Sequence, residues 1–394
     1  MRDIQRLYLV SAVGSLFGGA SHSIMAPYLR LLGFSPMEYG FLGALLLFAS
    51  LLFTIVAGWA SDRAGAKLVL LISLILQGLS SLLLTLGSRE LVLTSFLLAG
   101  VAGGLSSVAG IVLATRLRGG EEFERSLPFL GAASSIGMGV GLFAGWVPIV
   151  LSSIYGLSLL EGYRLQFLAV ALLLPLLSLP LLAPVREERG PSQEVSNGSN
   201  GVPWGIMARL VLINAIISLG AGMSIHIIDY YFVLKFNVQS GELGTVLGIQ
   251  SLIMGALMLL TPRFSTAVGG PLRAYLFIAS PSVLLLAAMT LTSSYPISSL
   301  IYIVRTVLMN VANPLYQAFE MSLIPREYRG RGASLISLAW QLPAGVGRLA
   351  GGALMAYNVE APLLVTAALY AFAFGLMIYF FPSYVLRVKN SRPL

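Results

Sequence analysis

The chain has 394 residues, 57% hydrophobic and only 10% charged, with a mean hydropathy of +0.87. Soluble domains carry about 25% charged residues, so this composition excludes a water-soluble globular protein. The net charge of +8 is spread along the chain rather than gathered into a nucleic-acid face, and the absence of cysteine excludes disulfides, thiolate metal sites and cysteine nucleophiles.

Twelve apolar runs follow one another. The first six are Leu7–Leu32, Met37–Ala60, Leu68–Leu86, Leu91–Thr115, Leu127–Ile154 and Tyr163–Pro184. The second six are Trp204–Leu234, Gly241–Thr261, Arg273–Leu291, Ile297–Leu323, Gly332–Tyr357 and Pro362–Val385. Each holds about 20 or more mostly apolar residues, enough to cross ~30 Å of hydrocarbon. Lipid cannot satisfy open backbone groups and the runs are too long for barrel strands, so they predict helices. The first run is too long for a cleavable signal peptide and leads straight into the second.

Between runs two and three lies Gly58-Trp59-Ala60-Ser61-Asp62-Arg63-Ala64-Gly65-Ala66-Lys67. This stretch reads as a short charged turn at the membrane surface, with Gly65 permitting a tight bend and Lys67 marking the cytoplasmic side. With both termini inside, about 17 of the 24 Lys and Arg fall on the inner side, and only Arg30, Arg89, Arg164 and Lys235 face outward. Val185–Pro203 is polar and rich in Gly, Ser and Asn, and reads as a flexible linker between residues 1–184 and 204–394.

The halves are related in sequence. At a constant offset of 204 residues, Gly18 falls on Gly222, His22 on His226, Glu38 on Glu242, Gly40 on Gly244, Gly65 on Gly269 and Arg125 on Arg329. Matches at one offset through five runs are the mark of an internal repeat. The acidic turn is lost in the second copy, where Thr266 and Ala267 replace Asp62 and Arg63.

The pattern G-x-x-x-D-R-x-G-x-K from Gly58 to Lys67 resembles the loop after the second transmembrane helix of the major facilitator superfamily. Ala66 stands where that family commonly has the first of two basic residues. Pro325–Ala333, between runs ten and eleven, resembles the family's P-x-x-x-R-G-x-(x)-A loop. The resemblance covers the whole chain. It implies an all-α membrane protein of twelve transmembrane helices in two pseudo-symmetric six-helix bundles, working by alternating access.

It also implies a cytoplasmic gate built from Gly58, Asp62, Arg63, Gly65, Lys67, Glu320, Arg329 and Gly330. Asp62 would face the N-terminus of helix eleven near Gly330–Ala333, where free N–H groups and the helix dipole favour a carboxylate. In relatives the loop arginine often pairs with an acid at the end of helix four; here that end carries Arg116, and the partner of Arg63 is open. If Arg63 and Lys67 have no gating part, they enforce topology.

Few ionisable groups lie inside the runs: His22, His226, Asp229, Arg305, Glu320 and Arg348, with Arg209 near the cytoplasmic edge. A charge at mid-membrane costs about 2.5–3.5 kcal/mol on insertion scales, so each needs a partner, a wet cavity or a task. Helices one, four, seven and ten line the cavity in the family, so Asp229 and Arg305 either share a ligand there or form a structural ion pair. Thr306, Asn310, Asn313, Gln317 and Glu320 recur at helical spacing and mark a polar face, lining a cavity or bonding neighbouring helices. Glu320 is also placed to pair with Arg263 or Arg273. His22 and His226, superimposed by the repeat, are candidates for ligand or proton binding or are packed neutral residues. Two histidines without clustered carboxylates or thiols make no metal site. Arg348 sits among glycines that permit close helix approach.

The candidate substrate and proton residues are therefore His22, His226, Asp229, Arg305, Asn310, Asn313, Gln317 and Arg348. Arg305 and Arg348 exceed Asp229 by one charge, which favours an anionic or zwitterionic solute. The expected function is secondary transport of such a solute across the cytoplasmic membrane, coupled to protons through Asp229. Multidrug efflux is the alternative, and a non-transporting receptor a minor one. A polytopic enzyme would need a cluster of His and carboxylates that the sequence lacks, and no G-x-x-x-x-G-K-[ST] motif supports ATP drive. No cofactor or nucleic acid is expected. The expected partners are a small-molecule substrate, the lipid bilayer and protons, with the chain acting as a monomer.

Overall fold

The computed structural model describes residues 3–117, 121–187, 204–258, 270–325 and 328–386, and these are almost entirely helical. The linker expected at Val185–Pro203 lies largely outside the described residues, as do Arg125's side chain, Arg263 and Gly269. Ten spans are long and apolar enough to cross a membrane, including Asp3–Leu31, Pro36–Ala64, Ala66–Leu84, Arg89–Leu117, Trp204–Phe236 and Tyr295–Leu323. Two further helices, Ser240–Met258 and Arg329–Tyr357, complete the twelve; the second carries three arginines, which lower its hydropathy. Large apolar side chains such as Leu52, Ile55, Leu172, Leu176 and Leu284 are exposed, as lipid-facing helix surfaces require.

The chain forms two compact units. The first comprises residues 1–194 with Asp229–Leu259, and the second comprises Val195–Ile228 with Leu260–Leu394. One division falls in the linker segment. The other falls inside span seven, where the helix Trp204–Met223 gives way to a 3-10 turn at Ile225–Ile227 before Ile228–Phe236 resumes. Span five is broken in the same way by a 3-10 turn at Phe143–Trp146. Hydropathy alone does not register either break, because apart from His226 both turns are made of apolar residues and glycine.

The repeated acids have a local cause. Ser35 and Glu38 form a capping box at the start of span two. At the equivalent start of span eight, the Glu242 carboxylate accepts the backbone N–H of Gln239 at 3.0 Å. Each acid satisfies a donor that the helix itself leaves orphaned.

Glycine sets the closest helix contacts within each unit. In the first, a Cβ on Gly137 or Gly141 would run into the carbonyls of Ala12 or Leu16 on span one. In the second, Gly347 and Gly351 of span eleven meet the carbonyls of Leu219 and Met223 on span seven in the same manner. These approaches place spans five and eleven backbone to backbone on their neighbours. Gly141→Leu should therefore destabilise the fold by about 1–3 kcal/mol or more, read as a lower melting temperature and loss of monodisperse protein. The same substitution at Gly18, whose Cβ would meet nothing within 4 Å, should be tolerated.

Candidate functional site

The turn after span two is shorter than its sequence implies. Gly58–Ala64 continues the helix, and Gly65 alone makes the corner, with φ of 99°. That left-handed backbone strains any residue with a side chain, and it allows span three to begin at Ala66. The first N–H groups of span three are thereby left without helical partners. Glu187, just beyond span six, takes two of them, accepting from Ala66 N at 2.8 Å and Lys67 N at 3.0 Å.

Arg116, from the end of span four, donates to Glu187 and also to the Ser61 carbonyl at 3.2 Å. Its contact with Asp62 is longer, at 3.4 Å, and the Asp62 side chain is 58% exposed against 10% for Glu187. The buried Arg116–Glu187 pair therefore governs this corner, and the exposed Asp62 contact adds little. Lys67 Nζ closes the end of span six by donating to the carbonyls of Ala183 at 2.6 Å and Val185 at 2.9 Å. Arg63 lies over the Trp59 ring, 4.3 Å from its centroid. The acid and base of this corner are thus exchanged relative to the family pattern: the base sits on span four and the acid comes from the end of span six.

Burial works against the Glu187 carboxylate, but hydrogen bonds from Lys67 N, Ala66 N and Arg116 outweigh it and hold its carboxyl below the usual carboxylate range. A carboxyl lowered by folding stabilises the fold above its unfolded pKa of about 4.3, and that contribution fades as pH falls through the folded value. Glu187→Gln should cost about 1–3 kcal/mol at pH 7 and flatten the fall in melting temperature below about pH 4, measured by thermal unfolding across pH.

At the opposite end of the first unit, Asp229 is buried. It accepts from the Tyr39 hydroxyl and, at 2.9 Å, from the Tyr230 backbone N–H. The Tyr39 and Tyr230 rings stack at 4.3 Å, Tyr230 donates to the Phe34 carbonyl, and Arg30 donates to the Val233 carbonyl. The second part of span seven, Ile228–Phe236, is thus fastened to spans one and two. Asp229 belongs to the first unit and Arg305 to the second, and neither joins an ion pair among the described residues. His22 is half-buried on span one.

The first unit also has a partly open cavity of about 580 Å³ among spans one, three, four, five and six. Its polar lining is Ser11, Ser15, Ser73, Gln77, Ser106, Ser107 and Ser134, with no charged residue among the described residues that line it. Ser73, Ser106 and Ser107 each donate to a carbonyl of their own helix, so their oxygens face the cavity as acceptors.

In the second unit, span ten brings several of the expected residues together. Arg305, Thr306 and Glu320 are buried, Asn310 and Asn313 half-buried, and Gln317 exposed. The polar stripe therefore runs along the border of the buried face. Asn310 donates to the Thr306 carbonyl at 2.8 Å and Asn313 to Asn310 at 3.4 Å, both within the helix.

Arg305 is 2% exposed, with its guanidinium 5.6 Å from the centre of the Tyr370 ring, and its Nε and Nη2 have no hydrogen-bond partner. His226, in the 3-10 turn of span seven, lies within electrostatic range of both Arg305 and Arg348, and its Nδ1 is buried without a partner. The only described carboxylates of this unit are Glu320 and Glu360. Glu320 stands fifteen residues along the same helix from Arg305, about 22 Å away, so it cannot neutralise it. Arg273 is exposed, and the partners of Glu320 are instead Asn214 and Tyr316. Arg329 and Gly330 open span eleven, and the Arg329 side chain lies outside what the structure describes.

A family model described as Major Facilitator Superfamily matches residues 8–348. The chain belongs to the major facilitator superfamily. Solved members share its fold along nearly the full length. A bacterial homolog of the human lysosomal transporter Spinster, inward-facing and unoccupied, superposes with a TM-score of 0.74 at 16% identity, covering 99% of this chain and 98% of that one. The E. coli xylose transporter XylE, inward open, gives 0.72 at 16%, covering 98% of each chain. The human organic anion transporter MFSD10 gives 0.61 at 16%, covering 95% and 99%. No curated protein matches the chain in sequence. The protein is a multi-pass membrane transporter of this superfamily rather than an enzyme.

The corner acid Glu187 is absent from the residues singled out by the sequence. Its only signal there is an acid immediately after span six, in the segment Val185-Arg186-Glu187.

Proposed function

We propose that this transporter carries a small organic anion, or a zwitterion through its anionic group, and that Arg305 binds that group. The observation behind the reading is the Arg305 guanidinium itself, buried, bonded to the Tyr370 hydroxyl, with two nitrogens unpaired and no ion pair among the described residues. A buried cation with donors left unanswered is costly, and a ligand that supplies the missing acceptors recovers the cost. The planar guanidinium suits a carboxylate or phosphate, which can accept two parallel hydrogen bonds. His226 and Arg348 add positive potential or donors on the same side of the unit. The organic anion transporter among the structural relatives supports the fold only; the anion reading rests on Arg305. Efflux of neutral compounds is the second reading, favoured by the uncharged hydroxyl-lined cavity of the first unit.

The bias of Lys and Arg supports a protein of the cytoplasmic membrane with both termini inside. The corner of Gly65, Asp62, Arg116 and Glu187 then stands on the cytoplasmic side as part of the inner gate.

A thermal-shift panel of organic carboxylates, phosphates, lipophilic cations and neutral drugs tests the assignment on purified protein. Stabilisation by anions should fall about 10- to 100-fold in apparent affinity in Arg305→Met, because charge-assisted hydrogen bonds are worth about 1.5–3 kcal/mol. Without ligand, the variant should melt close to the parent, since losing the Tyr370 hydrogen bond is offset by losing a buried charge with two unanswered donors. Stabilisation by neutral drugs that ignores the substitution would favour efflux.

A further inference from the structure

The cavity of the first unit has a lining that anion recognition leaves unused. Every described residue that lines it belongs to that unit, and spans three and six supply part of its wall through Leu70, Leu74 and Leu174. Its volume of about 580 Å³ falls in the range of small-molecule sites, about 300–1,000 Å³.

Glycine keeps this space open. Gly14 and Gly18 on span one and Gly110 on span four line it, and a Cβ on any of them would meet nothing within 4 Å. Neighbouring glycines have a packing cause: Gly19 lies against the Met138 carbonyl, and Gly104 against the Ser50 carbonyl. No such contact accounts for the three cavity glycines. Glycine weakens a helix interior, so three of them facing a void mark room that helix packing does not require.

The polar groups around this room are unbalanced. Ser73 donates to the Leu70 carbonyl at 2.7 Å, Ser106 to the Gly103 carbonyl at 3.1 Å and Ser107 to the Gly104 carbonyl at 2.9 Å. Their hydrogens are committed, so each hydroxyl meets the cavity as an acceptor only. Ser11 and Ser134 share a hydrogen bond of 2.6 Å between spans one and five, which leaves that pair a single hydrogen to offer. Gln77 brings an amide that both donates and accepts. Acceptors therefore outnumber donors, and a ligand that fits must bring hydrogens. No charged residue stands among the described residues of the lining, so a cationic donor would enter without a counter-charge, and a neutral one is favoured.

We propose that this cavity is a second ligand site, for a neutral molecule that carries several O–H or N–H donors on an apolar body. Ser73, Ser106 and Ser107 accept from the donors, and the leucines of spans three and six cover the body. The assignment stands apart from the anion reading, because it uses no residue of the second unit.

Equilibrium dialysis of the full-length protein in lipid nanodiscs tests it at pH 6, with empty nanodiscs as the blank. The probes are phloroglucinol and 1,3,5-trimethoxybenzene. Both are neutral, with one ring and three oxygens, and only the first has hydrogens on those oxygens. Phloroglucinol should bind above the blank and trimethoxybenzene should not, although it is the more lipophilic. Ser107→Ala should weaken phloroglucinol about 2- to 10-fold, as the loss of one hydrogen bond does. Gly110→Leu should fill the cavity and abolish binding, and Gly14→Leu does the same if Gly110→Leu does not fold. Arg305→Met should leave binding unchanged. Equal binding of the ether overturns the proposal, since the cavity would then take apolar matter without reading donors. So does absence of phloroglucinol binding. Binding that survives both leucine variants, or that disappears in Arg305→Met, also overturns it by moving the probe to another place. The anion panel is read separately with charged ligands, so failure of one assignment leaves the other standing.

Discussion

The controlling constraint is that a membrane interior does not solvate charge. Nearly every ionisable group in the described spans has a local answer. Arg116 is answered by Glu187, Asp229 by Tyr39 and the Tyr230 N–H, and Lys67 by the carbonyls that end span six. Arg305 stands out among those that lack a full answer, buried with two unpaired nitrogens beside its Tyr370 bond. In the transport reading proposed above, an anion from outside the protein supplies the acceptors those two nitrogens lack.

The packing makes that place definable. Glycines on spans five and eleven bring backbones together and fix their neighbours, so the polar groups sit on rigid helices rather than on loops. The break at Ile225–Ile227 carries His226 toward the two arginines of the second unit. A broken helix in a transporter leaves backbone and side-chain groups free for a ligand, which regular helix would consume. The two units differ in character: the first has an uncharged, hydroxyl-lined cavity, and the second holds two interior arginines with Glu320 as its one buried carboxyl among the described residues. The proposed anion recognition therefore draws on the second unit.

The fold was legible because its signals are local. Twelve apolar runs predict twelve helices, and Glu38 and Glu242 fell at one offset because each caps the start of the corresponding helix in its half of the sequence. The polar stripe of span ten was legible from spacing, although Gln317 turns outward at its edge. What the sequence hides is pairing between distant segments. Glu187 reaches Ala66 and Lys67 across about 120 residues, and no periodicity announces such a contact. Arg63 finds the Trp59 ring one turn back, a partner that a search for acids overlooks. The break in span seven is equally silent, since Ile225 and Ile227 are as apolar as the helix they interrupt.

The most direct test of the account is transport itself. Reconstituted in proteoliposomes, the protein should exchange a radiolabelled organic anion chosen from those that stabilise it, and Arg305→Met liposomes of equal protein content should show no exchange above empty vesicles. Exchange that proceeds at the parent rate in Arg305→Met would contradict the central claim, and would reduce the buried guanidinium to a structural residue beneath Tyr370.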